Sequence, residues 1–243
     1  MKRLLTTLVI LTGLFAPSLA VAGEGVKSGD LVERGGIFYK KFTDEPFTGK
    51  TEGLKQYTYR RGKKHGPSVS YHENGQLWSK ATYKDGKKEG PWVSYYENGQ
   101  LWGKGTFEDD KEEGPRVWYW ENGQLGEEFT YKDGEIEGSW VGYYDNGQLQ
   151  RKGTYEGGKQ EGPGVSYHKN GQLQRKGTYE GGKKEGPEVS YHKNGQLQRK
   201  GTYEGGKQEG PWVFYNEDGT KDTDGNAYHE GTGTYRNDKK VSD

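Results

Sequence analysis

Residues 177–200 read GTYEGGKKEGPEVSYHKNGQLQRK, and Gly201-Thr202-Tyr203 follows directly. Inside this stretch Asn194-Gly195 separates two β-type runs, 187–191 and 197–203. Asn-Gly between such runs is the strongest short-range hairpin signal, because both residues tolerate positive φ. The tetrapeptide Asn-Gly-Gln-Leu recurs at 74–77, 98–101, 122–125, 146–149, 170–173 and 194–197, a constant 24-residue step. A fixed period of this length means one supersecondary unit copied in tandem. No window carries a 3.6-residue apolar period of helix length. The spacing predicts an all-β fold, an elongated single-layer antiparallel β-meander of stacked hairpins. Two strands per repeat at ~4.8 Å spacing give a ribbon roughly 70–75 Å long.

Copies compared within the chain show what the stack requires. Val recurs at 69, 93, 117, 141, 165, 189 and 213, and Tyr two residues later in each copy. Leu closes every Asn-Gly-Gln-Leu, and an aromatic follows six residues on, at Tyr83, Phe107, Tyr131, Tyr155, Tyr179 and Tyr203. A three-residue loop with Gly99 in a left-handed bulge pairs Tyr95 with Leu101, whereas a two-residue loop pairs Tyr95 with Trp102. The first is favoured, because it places all four recurring residues on one packed face. Gly105, Gly153, Gly177 and Gly201 then leave flat space beside the rings. The 204–210 segment reads as a longer glycine-rich linker, with Pro211 opening the next strand.

The first 22 residues carry Lys2 and Arg3, an apolar run from 4 to 15, Pro17 and Ala20-Val21-Ala22. This reads as a secretory leader cleaved before Gly23, hence an exported protein, periplasmic or extracellular. The run is short and interrupted for a membrane span, and no Cys follows it for lipidation. The array is assigned to 59–215, with degenerate caps at 23–58 and 216–243. With 36 basic and 36 acidic residues the chain has no general attraction for nucleic acid. There are no cysteines, so stacking must replace disulfides. Apolar residues are only 28%, yet 19 Tyr and 7 Trp at fixed repeat positions argue against disorder.

The pattern NGQLxxKGTYxxGKxEGPxVxYY resembles the bacterial MORN repeat variant, found in chains described as YwqK-type antitoxins. The likeness spans residues 57–215, and 33–49 (ERGGIFYKKFTDEPFTG) resembles that family's lead-in. It implies an elongated hairpin sheet that binds proteins or membranes, with an antitoxin-like role, and brings no catalytic residues with it.

No Walker-type loop, HExxH or GxSxG is present, so no enzyme chemistry, cofactor or metal is expected. His168 and His192 share one repeat position and should lie ~9.6 Å apart, too far for one zinc. An EF-hand register through Gly225 puts Thr220 first and Gly231 twelfth, so it fails. Glu89, Glu113, Glu137, Glu161, Glu185 and Glu209 read as a row of solvated loop carboxylates.

If Val and Tyr point inward, the alternate residues point out. That exposes a candidate binding patch in the N-terminal half: Trp92, Tyr96, Trp118, Trp120, Trp140 and Tyr144, joined by Trp78 and Trp102. Stiffening of a one-layer sheet by the same rings is the competing reading. His168, Lys169, Arg175, Lys176, His192, Lys193, Arg199 and Lys200 form a candidate basic edge suited to anionic head groups. The expected function is a non-enzymatic exported scaffold with a protein partner. A glycan- or lipid-binding envelope module using the aromatic patch is the alternative.

Overall fold

The structure is a computed structural model that describes residues 25–225 and 231–243. The expected leader, Gly23, Asn226 and His229 lie outside the described residues. What is described is almost entirely β: one 21-stranded sheet plus a two-stranded hairpin.

One repeat shows how the sheet is built. Lys183–Tyr191 and Leu197–Glu204 are antiparallel strands. Between them His192 N–H donates to Gln196 O at 2.8 Å, and Gly195 N–H donates to His192 O at 2.9 Å. Gly195 has φ 85°. This is the three-residue loop with a left-handed glycine, and Tyr191 faces Leu197 as the spacing predicts.

The other connection is shorter than expected. Gly205 and Gly206, with φ 58° and 90°, form a two-residue turn in which Glu204 faces Lys207. Positive φ at both positions is the hairpin turn whose twist suits the strands. Asp133-Gly134 turns the same way with φ 54° and 87°, at a position where Asp is tolerated. The next strand, Lys207–Tyr215, therefore holds Pro211 in its interior rather than at its start. Register shows how: Thr202 faces Glu209 while Lys200 faces Val213, leaving Gly210, Pro211 and Trp212 opposite one residue. Gly210, at φ 70°, makes the kink that lets a residue without an N–H sit there.

A second bulge decides the faces. Ser190 pairs with Arg199, but Tyr191 pairs with Leu197, so Gln198 is an extra residue. The same slip separates Leu101 from Gly103 and puts Trp102 at the extra position. One extra residue inverts strand parity. The expected single face of Val, Tyr, Leu and the later aromatic therefore does not form. Val189, Tyr191 and Leu197 share one side, here the valine face, with Pro187, Lys200 and Thr202. Tyr203 lies on the other, the tryptophan face, with Glu188, Ser190, Arg199 and Gly201.

Burial runs opposite to expectation as well. On the tryptophan face Trp140 is 7%, Glu188 5% and Trp212 0% exposed. Val189 and Tyr191 are only half-buried. Gly201 lies beneath Trp212, where a Cβ would meet ring carbons, so the flat space predicted for this glycine is used by a ring of that face.

Both ends gather aromatics. Phe47 and Tyr59 are buried together with ring centroids 5.6 Å apart, and Phe38 lies 5.2 Å from Tyr59. At the far end Tyr203, Trp212, Phe214 and Tyr235 form one buried cluster. Burial pushes the Tyr59 hydroxyl up from 10.0 to about 12. Burial is also the first cause of the upward shifts of Tyr83, Tyr131, Tyr155 and Tyr203. A tyrosine raised in the folded state keeps its full contribution below its unfolded pKa and loses it as pH climbs through the folded value. Thermal melts followed by circular dichroism should therefore hold up to pH 10 and fall between pH 10 and about 12. Tyr59→Phe, which keeps the ring, should flatten part of that fall.

Candidate functional site

Three hydrogen-bond ladders run between repeats and absorb several residues that read as surface groups. The first uses the position after each recurring Tyr. Tyr96 Oη donates to Tyr119 O at 2.8 Å, Trp120 Nε1 to Tyr143 O at 2.9 Å, and Tyr144 Oη to Tyr167 O at 2.8 Å. His168 Nε2 meets Tyr191 O at 2.8 Å and His192 Nε2 meets Tyr215 O at 2.8 Å. A carbonyl only accepts, so Nε2 carries the hydrogen in both histidines. Tyr, Trp and His differ chemically but each places a donor on an aromatic ring. That shared property is what the position selects.

The second ladder uses the turn asparagines. Asn146 Nδ2 donates to Lys169 O at 3.0 Å, while its Oδ1 accepts from Gln148 N–H at 3.1 Å within its own turn. The third corrects the reading of the glutamates. Glu137 accepts from Gly157 N–H at 2.9 Å and Glu185 from Gly205 N–H at 2.8 Å. They tie each two-residue turn to the repeat before it.

The basic edge does not come together. His168 and His192 are in the first ladder, and Lys169 pairs with Asp145 at 2.5 Å on the turns, where Lys193 also sits. Arg199 pairs with the buried Glu188 at 2.9 Å, and Lys184 meets the same carboxylate at 2.6 Å. Arg175 is also on the tryptophan face, beside Trp140 in a hollow of about 110 Å³. Lys176 and Lys200 are exposed on the opposite, valine face.

The aromatic patch divides. Tyr96, Trp120 and Tyr144 are ladder donors. Trp140 is buried under Arg151, whose guanidinium lies 3.9 Å from the ring centroid. Trp118 lies against Gly126 and donates to Glu127 Oε2 at 3.0 Å. Trp78 and Trp102 remain 43% and 38% exposed. With Trp92, whose ring centroid is 6.2 Å from that of Trp102, they line a cleft of about 390 Å³ in the first two hairpins. Tyr57, Tyr83 and Phe107 line it too and were missed; the inverted parity hid them.

The valine face is uncovered along the array. Pro163, Pro187, Pro211, Val189, Lys176 and Lys200 outline a shallow hollow of about 690 Å³. Pro91, Val93, Lys104, Pro115, Val117 and Leu125 outline another of about 960 Å³. Among the described residues no group of His, Cys, Asp and Glu is placed to hold a metal ion.

These features define a tandem β-hairpin repeat protein, a scaffold whose open surfaces are available for binding. The chain belongs to the MORN repeat variant family: that model matches residues 64–85, 88–109, 112–133, 136–156, 160–180 and 184–204, over half of the chain. No curated protein matches it. The solved structures of TcdB2-TccC3-Cdc42 and TcdB2-TccC3 are similar to it at 14% and 13% identity. Each match has a TM-score of 0.20 and covers 69% of this chain and 12% of the other. A likeness that slight carries no structural argument, and the chain spans only that small part of those proteins.

The tryptophans differ sharply in what they support. Trp140→Ser should cost about 3 kcal/mol or more, as for other buried large-to-small changes. Trp78→Ser should cost less than about 0.5 kcal/mol, as for surface changes. Urea unfolding of the two variants measures both.

Proposed function

We propose that the protein is an exported, non-enzymatic scaffold that holds a protein partner along its valine face. The observation that carries this reading is an uncovered surface repeating the same Val, Tyr and Leu over the whole array, with Pro in every copy but the one at Ser139. A surface that long exceeds a small ligand and suits an extended partner, as in other solenoids. Lys80, Lys104, Lys152, Lys176 and Lys200 occupy one exposed position in five of the repeats, with Glu128 in the sixth. None of the five lysines has an ion-pair partner among the described residues. A lysine row between half-buried valines fits a partner that presents acidic side chains beside apolar ones. Export rests on the leader at 1–22, and an antitoxin-like role would be one instance of such binding.

The test is affinity capture from cell-envelope extract, using the wild-type chain and a Lys104→Glu, Lys176→Glu, Lys200→Glu variant. One defined protein should be retained by the wild type. Its affinity for the variant should fall by about tenfold or more, and rising salt should weaken the wild-type complex. Equal retention by both proteins would remove the valine face from consideration.

A further inference from the structure

The cleft on the tryptophan face lies opposite the surface just assigned to a protein partner, and its chemistry is different. In the first hairpin, Lys63–Tyr71 with Leu77–Lys84, every interior position of this face is small: Ser68, Ser70, Ser79 and Ala81. The equivalent positions of the sixth hairpin, Glu188, Ser190, Arg199 and Gly201, are filled by an ion pair. The first hairpin is hollow where the sixth is plugged.

The floor of the hollow is a row. Ser70 pairs with Ser79, and Ser79 with Ser94, so three hydroxyls lie side by side across adjacent strands. Ser70 and Ser94 are 5% and 8% exposed. Ser68 donates to Ala81 O at 3.1 Å, whereas Ser70, Ser79 and Ser94 find no protein partner among the described residues. Gly103, paired with Ser94, extends the row with a position free of side chain.

The walls are rings. Trp78 and Trp102 stand at the extra bulge residue of consecutive hairpins, where the third repeat carries Gly126 and the next three Gln150, Gln174 and Gln198. Trp92, Tyr83, Phe107 and Tyr57 complete the lining. Arg116 and Glu112 close the far end as an ion pair at 2.9 Å, and Lys88, whose ammonium lies 4.5 Å from the Phe107 ring centroid, adds a positive charge to the lining.

We propose that this cleft binds a short oligosaccharide, with Trp78 and Trp102 stacking on pyranose rings and the Ser70–Ser79–Ser94 row pairing with sugar hydroxyls. A sugar ring has apolar C–H faces for the tryptophans, and hydroxyls at its rim that both donate and accept. The serine row offers the same two-way chemistry. An acyl chain would leave those hydroxyls unpaired, at a cost. The cleft volume of about 390 Å³ falls in the range of small-ligand sites.

The purified chain is screened on an array of neutral and acidic oligosaccharides. The strongest hit is then titrated by calorimetry and by tryptophan fluorescence. Wild type should bind and change its fluorescence. W78A/W102A should lose about tenfold or more in affinity while melting close to wild type. Ser79→Leu, which fills the floor, should lose binding too, whereas Lys176→Ala on the valine face should not. The proposal is overturned by failure of every saccharide to bind, or by unchanged affinity in both W78A/W102A and Ser79→Leu. Retained envelope-protein capture by W78A/W102A would show the two faces to be independent.

Discussion

Hydrogen bonds between successive repeats hold this sheet together in place of a second layer. Equivalent residues of neighbouring hairpins lie two strands apart, ~9.6 Å in an untwisted sheet. Yet Gly182 N–H reaches Gln160 O at 3.0 Å, and His168 Nε2 reaches Tyr191 O at 2.8 Å. Both edges must therefore lean onto the next repeat. The ladders make this profitable, because each turn closes itself and also fastens its neighbour. An isolated hairpin would lose both donors and acceptors at its edges, consistent with the marginal stability of lone hairpins in water.

The period, the three-residue turn and the Tyr–Leu pairing were legible because Asn-Gly and its spacing leave little choice of loop. The faces were not. Gln198 and Trp102 sit between β-forming neighbours, and nothing in their chemistry marks them as extra residues. One such residue reverses the parity of everything beyond it, so Tyr203 joined Glu188 rather than Val189. The glutamates failed for another reason. A repeated carboxylate looks the same in sequence whether it is solvated or accepts from a turn N–H twenty residues on, as Glu161 does from Gly181. Pro211 shows a third limit: a proline in sequence marks a strand start, whereas the kink at Gly210 lets the strand pass through it.

Ladder positions explain how the chain tolerates variety without losing its frame. The acceptors are backbone carbonyls, so the donor alone is specified, and Tyr, Trp or His each serve. The interior of the tryptophan face is freer still. Trp140 with Arg151, Trp212 with Phe214, and Lys184 with Glu188 and Arg199 are three different fillings of one backbone. The third buries charge, and pairing of Glu188 by two cations is what makes it tolerable.

Small residues in the first hairpin are a fourth filling, and physically the odd one. A buried serine with a free hydroxyl forgoes both the packing of a long side chain and the hydrogen bond of a satisfied one. The Ser166 hydroxyl is buried without a partner among the described residues, at the same repeat position as Ser70 and Ser94. What sets the first hairpin apart is therefore Ser79, beside two exposed tryptophans, where the fourth to sixth repeats carry Arg151, Arg175 and Arg199. Strand alternation separates this face from the valine face, and Lys80 is the one member of the lysine row that also lines the cleft shaped by residues 68, 70, 79 and 81. One ribbon thus has room for two kinds of recognition, long and ionic on one side, short and ring-stacked on the other.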